Sequence, residues 1–225
     1  MNQFCKRIAA LTLPLVLLLP LAACGGGGFT EEDATAYVQG ILDENYKGTA
    51  TPEFIASIDS SEEEIQEVYQ TSIETEADFL IGSLLDNPPP DEQREELIQL
   101  YKDIYANASY TVESATEIDD TTFGVKVTVE PIDIFHLMAE EATSGEEFAA
   151  LNASYPDQMT EEEYAAYEEE WFQLILDTLE AKLPELGYLE PQTQVVQVTL
   201  DDDGLWGFNE QDFYNLDVLI IDYNF

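Results

Sequence analysis

The chain has 225 residues, with 48 Asp and Glu against 7 Lys and Arg, one His and two Cys, for a formal net charge of -41. Seven scattered cations cannot build the basic face that phosphate-backbone binding requires, which excludes nucleic acid as a partner. Hydrophobic residues at 45% and aromatics at 11% exclude a disordered chain, and the length fits one globular domain.

Lys6 and Arg7 precede an apolar run from Ile8 to Leu19, the layout of a secretory signal. The run is shorter than the ~20 residues a bilayer span prefers and contains Pro14, with Pro20 after it, which argues against a retained transmembrane helix. It leads into Leu21-Ala22-Ala23-Cys24, which resembles the lipobox of bacterial lipoproteins in all four places. The resemblance implies a signal peptide over 1–23 and Cys24 as the lipid-attachment residue that becomes the mature N-terminus, tied to the extracytoplasmic face of the cell membrane. Gly25 to Gly28 then form a tether (24–28 with the cysteine), and 29–225 a single α+β domain. Each buried methylene contributes about 0.8 kcal/mol, so two or more acyl chains hold a protein where one holds it marginally. Cys5 lies in the leader, so no disulfide is expected in the mature chain. Loss of Lys6 and Arg7 takes the side-chain charge from -41 to -43.

Thr30 before Glu31, Glu32 and Asp33 predicts a capped helix running to about Tyr46, closed by Lys47-Gly48. Ser60 or Ser61 opens a second, striped by Ile65, Val68, Tyr69, Ile73, Leu80, Leu84 and Leu85, and Pro88 to Pro90 end it. Asp91 starts a third, with Leu97, Ile98, Tyr101, Ile104 and Tyr105 on one face. The period then changes to two: Tyr110, Val112, Ser114, Thr116 and Ile118 alternate, as do Phe123, Val125, Val127 and Val129 beyond Asp119-Asp120-Thr121, which predicts a β-hairpin. A helix from Asp133 to about Glu141 is interrupted at Thr143-Ser144-Gly145. Thr160 with Glu163 is a capping box for a long helix bearing Tyr164, Tyr167, Trp171, Leu174, Ile175, Leu179 and Leu183. A second hairpin, Gln194–Leu200 with Leu205–Phe208, turns on Asp201-Asp202-Asp203-Gly204. Asn209 with Asp212 caps a last helix, and the run Val218 to Ile221 reads as helix or as buried strand.

The stretches Tyr37-Val38 to Gly48, Tyr101 to Ala106 and Val127 to Asp133 make the body of the chain similar to surface lipoproteins of Gram-positive bacteria. The helix and hairpin order also resembles NTF2-like lipoproteins, which implies helices packed on a curved antiparallel sheet made from two hairpins. Neither resemblance carries a chemistry or a cofactor with it.

Three motifs invite a chemical role. His136 is the only histidine, so any His-based triad or metal site must use it, but a lone His among Ile134, Phe135, Leu137 and Met138 reads as structural or surface. Asp201 to Asp203 and Asp119-Asp120 offer carboxylates to a hard cation, without the alternating spacing of an EF-hand, and turn chemistry explains both. Diffuse pairing with divalent cations is expected rather than a metal site. Tyr164, Tyr167 and Trp171 could stack on a sugar, but at helical spacing are expected in the core. No catalytic residue is assigned. The leading expectation is a non-enzymatic, lipid-anchored surface domain for binding or envelope interaction, with a cationic or small-molecule partner. The alternatives are a small-molecule carrier or sensor with a sheet-lined pocket, and an NTF2-like enzyme working with Asp and Tyr. Two buried carboxylates or an Asp–Tyr pair in a deep pocket would mark the enzyme, a dry apolar cavity the carrier, and a filled core the surface domain.

Overall fold

The computed structural model describes residues 19–20, 28–156 and 158–223, with side chains from residue 28 onward. Helix α1 (Glu31–Lys47) begins at a complete Thr30–Asp33 capping box and ends at Gly48, whose φ of 59° is the left-handed conformation that glycine adopts without penalty. A short helix absent from the sequence reading, α2 (Pro52–Ser57), follows at once, with Thr51 as cap and Pro52 in the first turn. Ser61 caps α3 (Glu62–Leu84), and α4 (Asp91–Tyr105) returns beside it, so the predicted helical pair forms.

The strands build an antiparallel sheet. Its members are β1 (Leu19–Pro20), β2 (Ser109–Val112), β3 (Thr116–Asp119), β4 (Thr122–Glu130), β5 (Gln192–Leu200) and β6 (Leu205–Phe208). The order is β1-β6-β5-β4-β2, with β3 also on β4. The two predicted hairpins therefore merge through the β4–β5 ladder, from Thr122 opposite Thr199 to Val129 opposite Gln192. Phe123, Val125, Val127 and Val129 share the buried face with Val196 and Val198, and helices cover that face, giving the α+β class.

One expected strand is two. Between β2 and β3 the chain leaves the ladder, because Ala115 is buried and its N–H donates to Thr35 Oγ1 of α1 at 2.8 Å. That detour breaks the alternation, so Ile118, expected on the core face, is 57% exposed.

Beyond β4 run α5 (Ile134–Ser144), α6 (Glu146–Ser154) and α7 (Glu161–Lys182), the last opened by the Thr160–Glu163 capping box. The buried face of α7 is Glu168, Phe172, Ile175, Leu176 and Leu179. The expected stripe is thus rotated by about one residue, and Tyr164 is exposed while Tyr167 and Trp171 are only half-buried. The acid on that face has a purpose: Glu168 accepts from Asp86 N at 2.7 Å, Asn87 N at 3.2 Å and Asn87 Nδ2 at 2.6 Å, pinning the chain between α3 and α4. Glu168→Ala strips these donors of their acceptor and is expected to cost about 2–3 kcal/mol in denaturant unfolding. Finally α8 (Glu210–Asp217), capped by Asn209, packs on β5. The Val218–Ile221 run is a turn followed by a single bridge from Ile221 to Ile132, so it is neither helix nor full strand.

Candidate functional site

Tyrosines on buried helix faces need partners for their hydroxyls, and the structure brings four of them to two carboxyl groups. Tyr46 of α1, Tyr101 and Tyr105 of α4 and Tyr223 of the C-terminal segment surround Glu76 of α3 and Asp217 of α8. Tyr223 donates to Glu76 Oε1, and the Tyr101 and Tyr223 hydroxyls are 3.1 Å apart. Since Tyr223 has spent its one proton on Glu76, Tyr101 is the donor in that pair, which gives a chain from Tyr101 through Tyr223 to Glu76. Tyr46 donates to Asp217 Oδ1 at 2.7 Å. Beside them Ser72 donates to Asn45 Oδ1 at 3.2 Å, and Asn45 Nδ2 donates to the Ile41 carbonyl at 2.8 Å. Phe135 packs on both Tyr101 and Tyr223, with ring centroids 6.3 and 4.7 Å away.

Burial governs the electrostatics. Glu76 is pushed up out of the usual carboxylate range by desolvation first and by the Asp217 charge second, against the opposing hydrogen bond from Tyr223. Desolvation likewise holds Tyr46, Tyr101, Tyr105 and Tyr223 well above the ordinary phenol value, so all four keep their protons. The cluster can store a proton at Glu76 and tie four elements to the C-terminal segment.

A second acid is stranded more completely. Glu44 of α1 is fully buried, neither carboxylate oxygen has a hydrogen-bond donor among the described residues, and desolvation pushes it up to about 7. Its charge is felt by Tyr37, whose hydroxyl meets the Phe208 backbone.

The residues singled out in the sequence lie elsewhere. His136 Nε2 is 2.8 Å from Asp222 Oδ2. Asp222 N donates to the Ile132 carbonyl and Ile132 N to the Ile220 carbonyl, so the His–Asp pair clasps the C-terminal segment to the start of α5. The two acidic turns are brought side by side, with Leu200 N donating to the Thr121 carbonyl at 2.9 Å. Their leading carboxylates serve the turns themselves. Asp201 Oδ1 accepts from Asp203 N and Leu205 N, and Asp119 Oδ1 from the Thr121 amide and hydroxyl. Among the described residues no three His, Cys, Asp or Glu side chains group as metal ligands. Tyr164 and Tyr167 stack with centroids 6.4 Å apart, while their hydroxyls donate to Asp86 and Asn152. Cys24 falls outside the described residues, as does most of the leader.

The charge excess and these turns together set an expected response to salt. With repulsion among 48 acids screened to about 8 Å at physiological ionic strength, added NaCl should raise the melting temperature. Calcium should do so at lower concentration and without saturation. A tight one-to-one calorimetric isotherm lost on changing Asp201, Asp202 and Asp203 to Asn would instead make the turn a ligand loop.

No protein-family model and no curated protein sequence matches the chain. Among solved structures it shares its fold with YcdA of Bacillus subtilis, provisionally named a lipoprotein, at a TM-score of 0.56 and 16% identity. The likeness covers 84% of this chain and 56% of that one, so the chain spans little more than half the length of its neighbour. Among the described residues no helix is long and apolar enough to cross a membrane.

Proposed function

We propose that this is an extracytoplasmic lipoprotein, held to the cell membrane by acyl chains on Cys24, whose acidic domain serves as a non-enzymatic binding or envelope-interaction module. The observation that carries the reading is Leu21-Ala22-Ala23-Cys24 at the end of an apolar leader opened by Lys6 and Arg7. The shared fold with a protein provisionally named a lipoprotein supports it, and so does the absorption of the candidate groups into structural hydrogen bonds. An acidic surface favours a cationic partner.

The Tyr46–Asp217 and Tyr223–Glu76 pairs are the observation behind a second reading, an acid–base enzyme without histidine. Against it, these hydroxyls already donate to the carboxyl groups, and Tyr101, Tyr105 and Phe135 pack around them at 6% exposure or less. Fractionation of cells expressing Cys24→Ala tests the anchor: wild type is expected in the membrane fraction, and the variant released or left as uncleaved precursor. A variant that stays with the membrane at mature length would overturn the reading.

A further inference from the structure

Phe29, the first side chain described past the glycines, is half-buried in a specific place. Phe29 stacks on Trp206 of β6, with centroids 4.6 Å apart and planes at 14°, and meets Phe123 of β4 edge-on at 5.6 Å. Both partners are nearly buried, so this aromatic trio fixes where the N-terminal chain leaves the domain. The exit is at one end of the sheet. Trp206 lies two residues past the β5–β6 turn, and Phe123 three past Asp120 of the β3–β4 turn. Glu117 N donates to Glu31 Oε1 at 3.1 Å, so the start of α1 is at the same end.

We propose that this end of the domain, carrying the two hairpin turns and the start of α1, faces the membrane that anchors Cys24. The inference rests on the lipid reading and adds the orientation of the domain to it. From Cys24 to Phe29 the chain has five steps, which span at most roughly 18 Å when fully extended. No opposite pole can reach the bilayer while Phe29 stays in its socket. The partner is the headgroup layer of the anchoring bilayer itself. The facing end exposes Glu31, Asp119, Asp120, Asp201, Asp202 and Asp203, so an anionic bilayer repels it across a screening length of about 8 Å. The domain stands off within its tether rather than lying on the lipid, and divalent cations draw it closer.

Energy transfer from tryptophan to dansyl headgroups in phosphatidylglycerol vesicles tests the orientation. Trp171→Phe leaves Trp206 at the proposed membrane end as donor, and Trp206→Phe leaves Trp171 on α7, which packs on α4, α5 and α6 rather than on the hairpins. With the lipidated protein, transfer from Trp206 is expected to be several-fold the transfer from Trp171, and to rise with calcium. A roughly ten-residue Gly-Ser insertion between Gly28 and Phe29 should lower the Trp206 signal by lengthening the tether. Equal transfer from the two indoles, or a Trp206 signal indifferent to the insertion, would overturn the orientation. The Trp171→Phe protein with and without the insertion decides the case even if Trp206→Phe misfolds. Intact mass reports the anchor separately. Should Cys24 prove unmodified, the same chain coupled through Cys24 to a maleimide lipid, in a Cys5→Ser background, still reads the orientation.

Discussion

Raising the pH from about 5 to about 8 is expected to destabilise the protein. Glu44 titrates near 4.5 when unfolded and at about 7 when folded, because burial disfavours its charge and no donor among the described residues compensates. Its folded-state value is raised, so between those values the native state binds a proton that the unfolded state has released. Stability from this group is therefore full below about 4.5 and lost as the pH rises through about 7. At 1.36 kcal/mol per unit, the loss is about 3 kcal/mol. Glu76, raised by burial and by Asp217, adds to it in the same direction. Replacing Glu44 with Met, of similar volume and without charge, should flatten the dependence and stabilise the protein at pH 8 by up to about 3 kcal/mol, with a smaller gain at pH 5. Urea midpoints across the pH range check this, and a Glu44→Met variant less stable than wild type at pH 8 would show that the carboxylate has a partner in solution.

The Tyr223 hydroxyl carries the second large effect. Tyr223→Phe keeps the ring against Phe135 but removes the donor to Glu76 and the acceptor for Tyr101 in one step. Two buried polar groups are left unpaired, at about 1–3 kcal/mol each, so a loss of about 2–6 kcal/mol is expected. Tyr101→Phe deletes only a donor and should cost about 1 kcal/mol. Because the Tyr223 hydrogen bond is what pulls Glu76 back toward its normal range, its removal should also deepen the loss of stability at high pH. Equal costs for the two variants would mean that the hydroxyl chain is not a relay of donors but two independent contacts.

The local signals in the sequence were strong where a cap or a turn states its own geometry. Thr30, Ser61, Thr160 and Asn209 each accept from the residue three ahead, and Asp201 to Gly204 makes the second hairpin turn. What depends on tertiary contact was not legible. The strand interruption at Ala115 follows from Thr35, eighty residues away, and the one-residue rotation of α7 follows from Glu168 being drawn inward by Asp86 and Asn87.

The buried acids did leave a trace. Glu44 lies three residues after Ile41 and seven after Tyr37, and Glu76 lies three after Ile73 and four before Leu80, so each sits in register with an apolar stripe. Tyr101 and Tyr105 read as hydrophobic in that same pattern, which hid the hydroxyls gathered around the carboxyl groups. Tyr223 had no periodic signal because the segment beyond α8 holds its place by pairing with Ile132 and by the His136–Asp222 contact.

The location and orientation of the domain both follow from the lipid on Cys24. Intact mass spectrometry of the protein purified from its native strain tests it most directly. The expected species begins at residue 24 and carries a diacylglyceryl group on that cysteine. A chain with an unmodified thiol at residue 24 would rule the lipid anchor out.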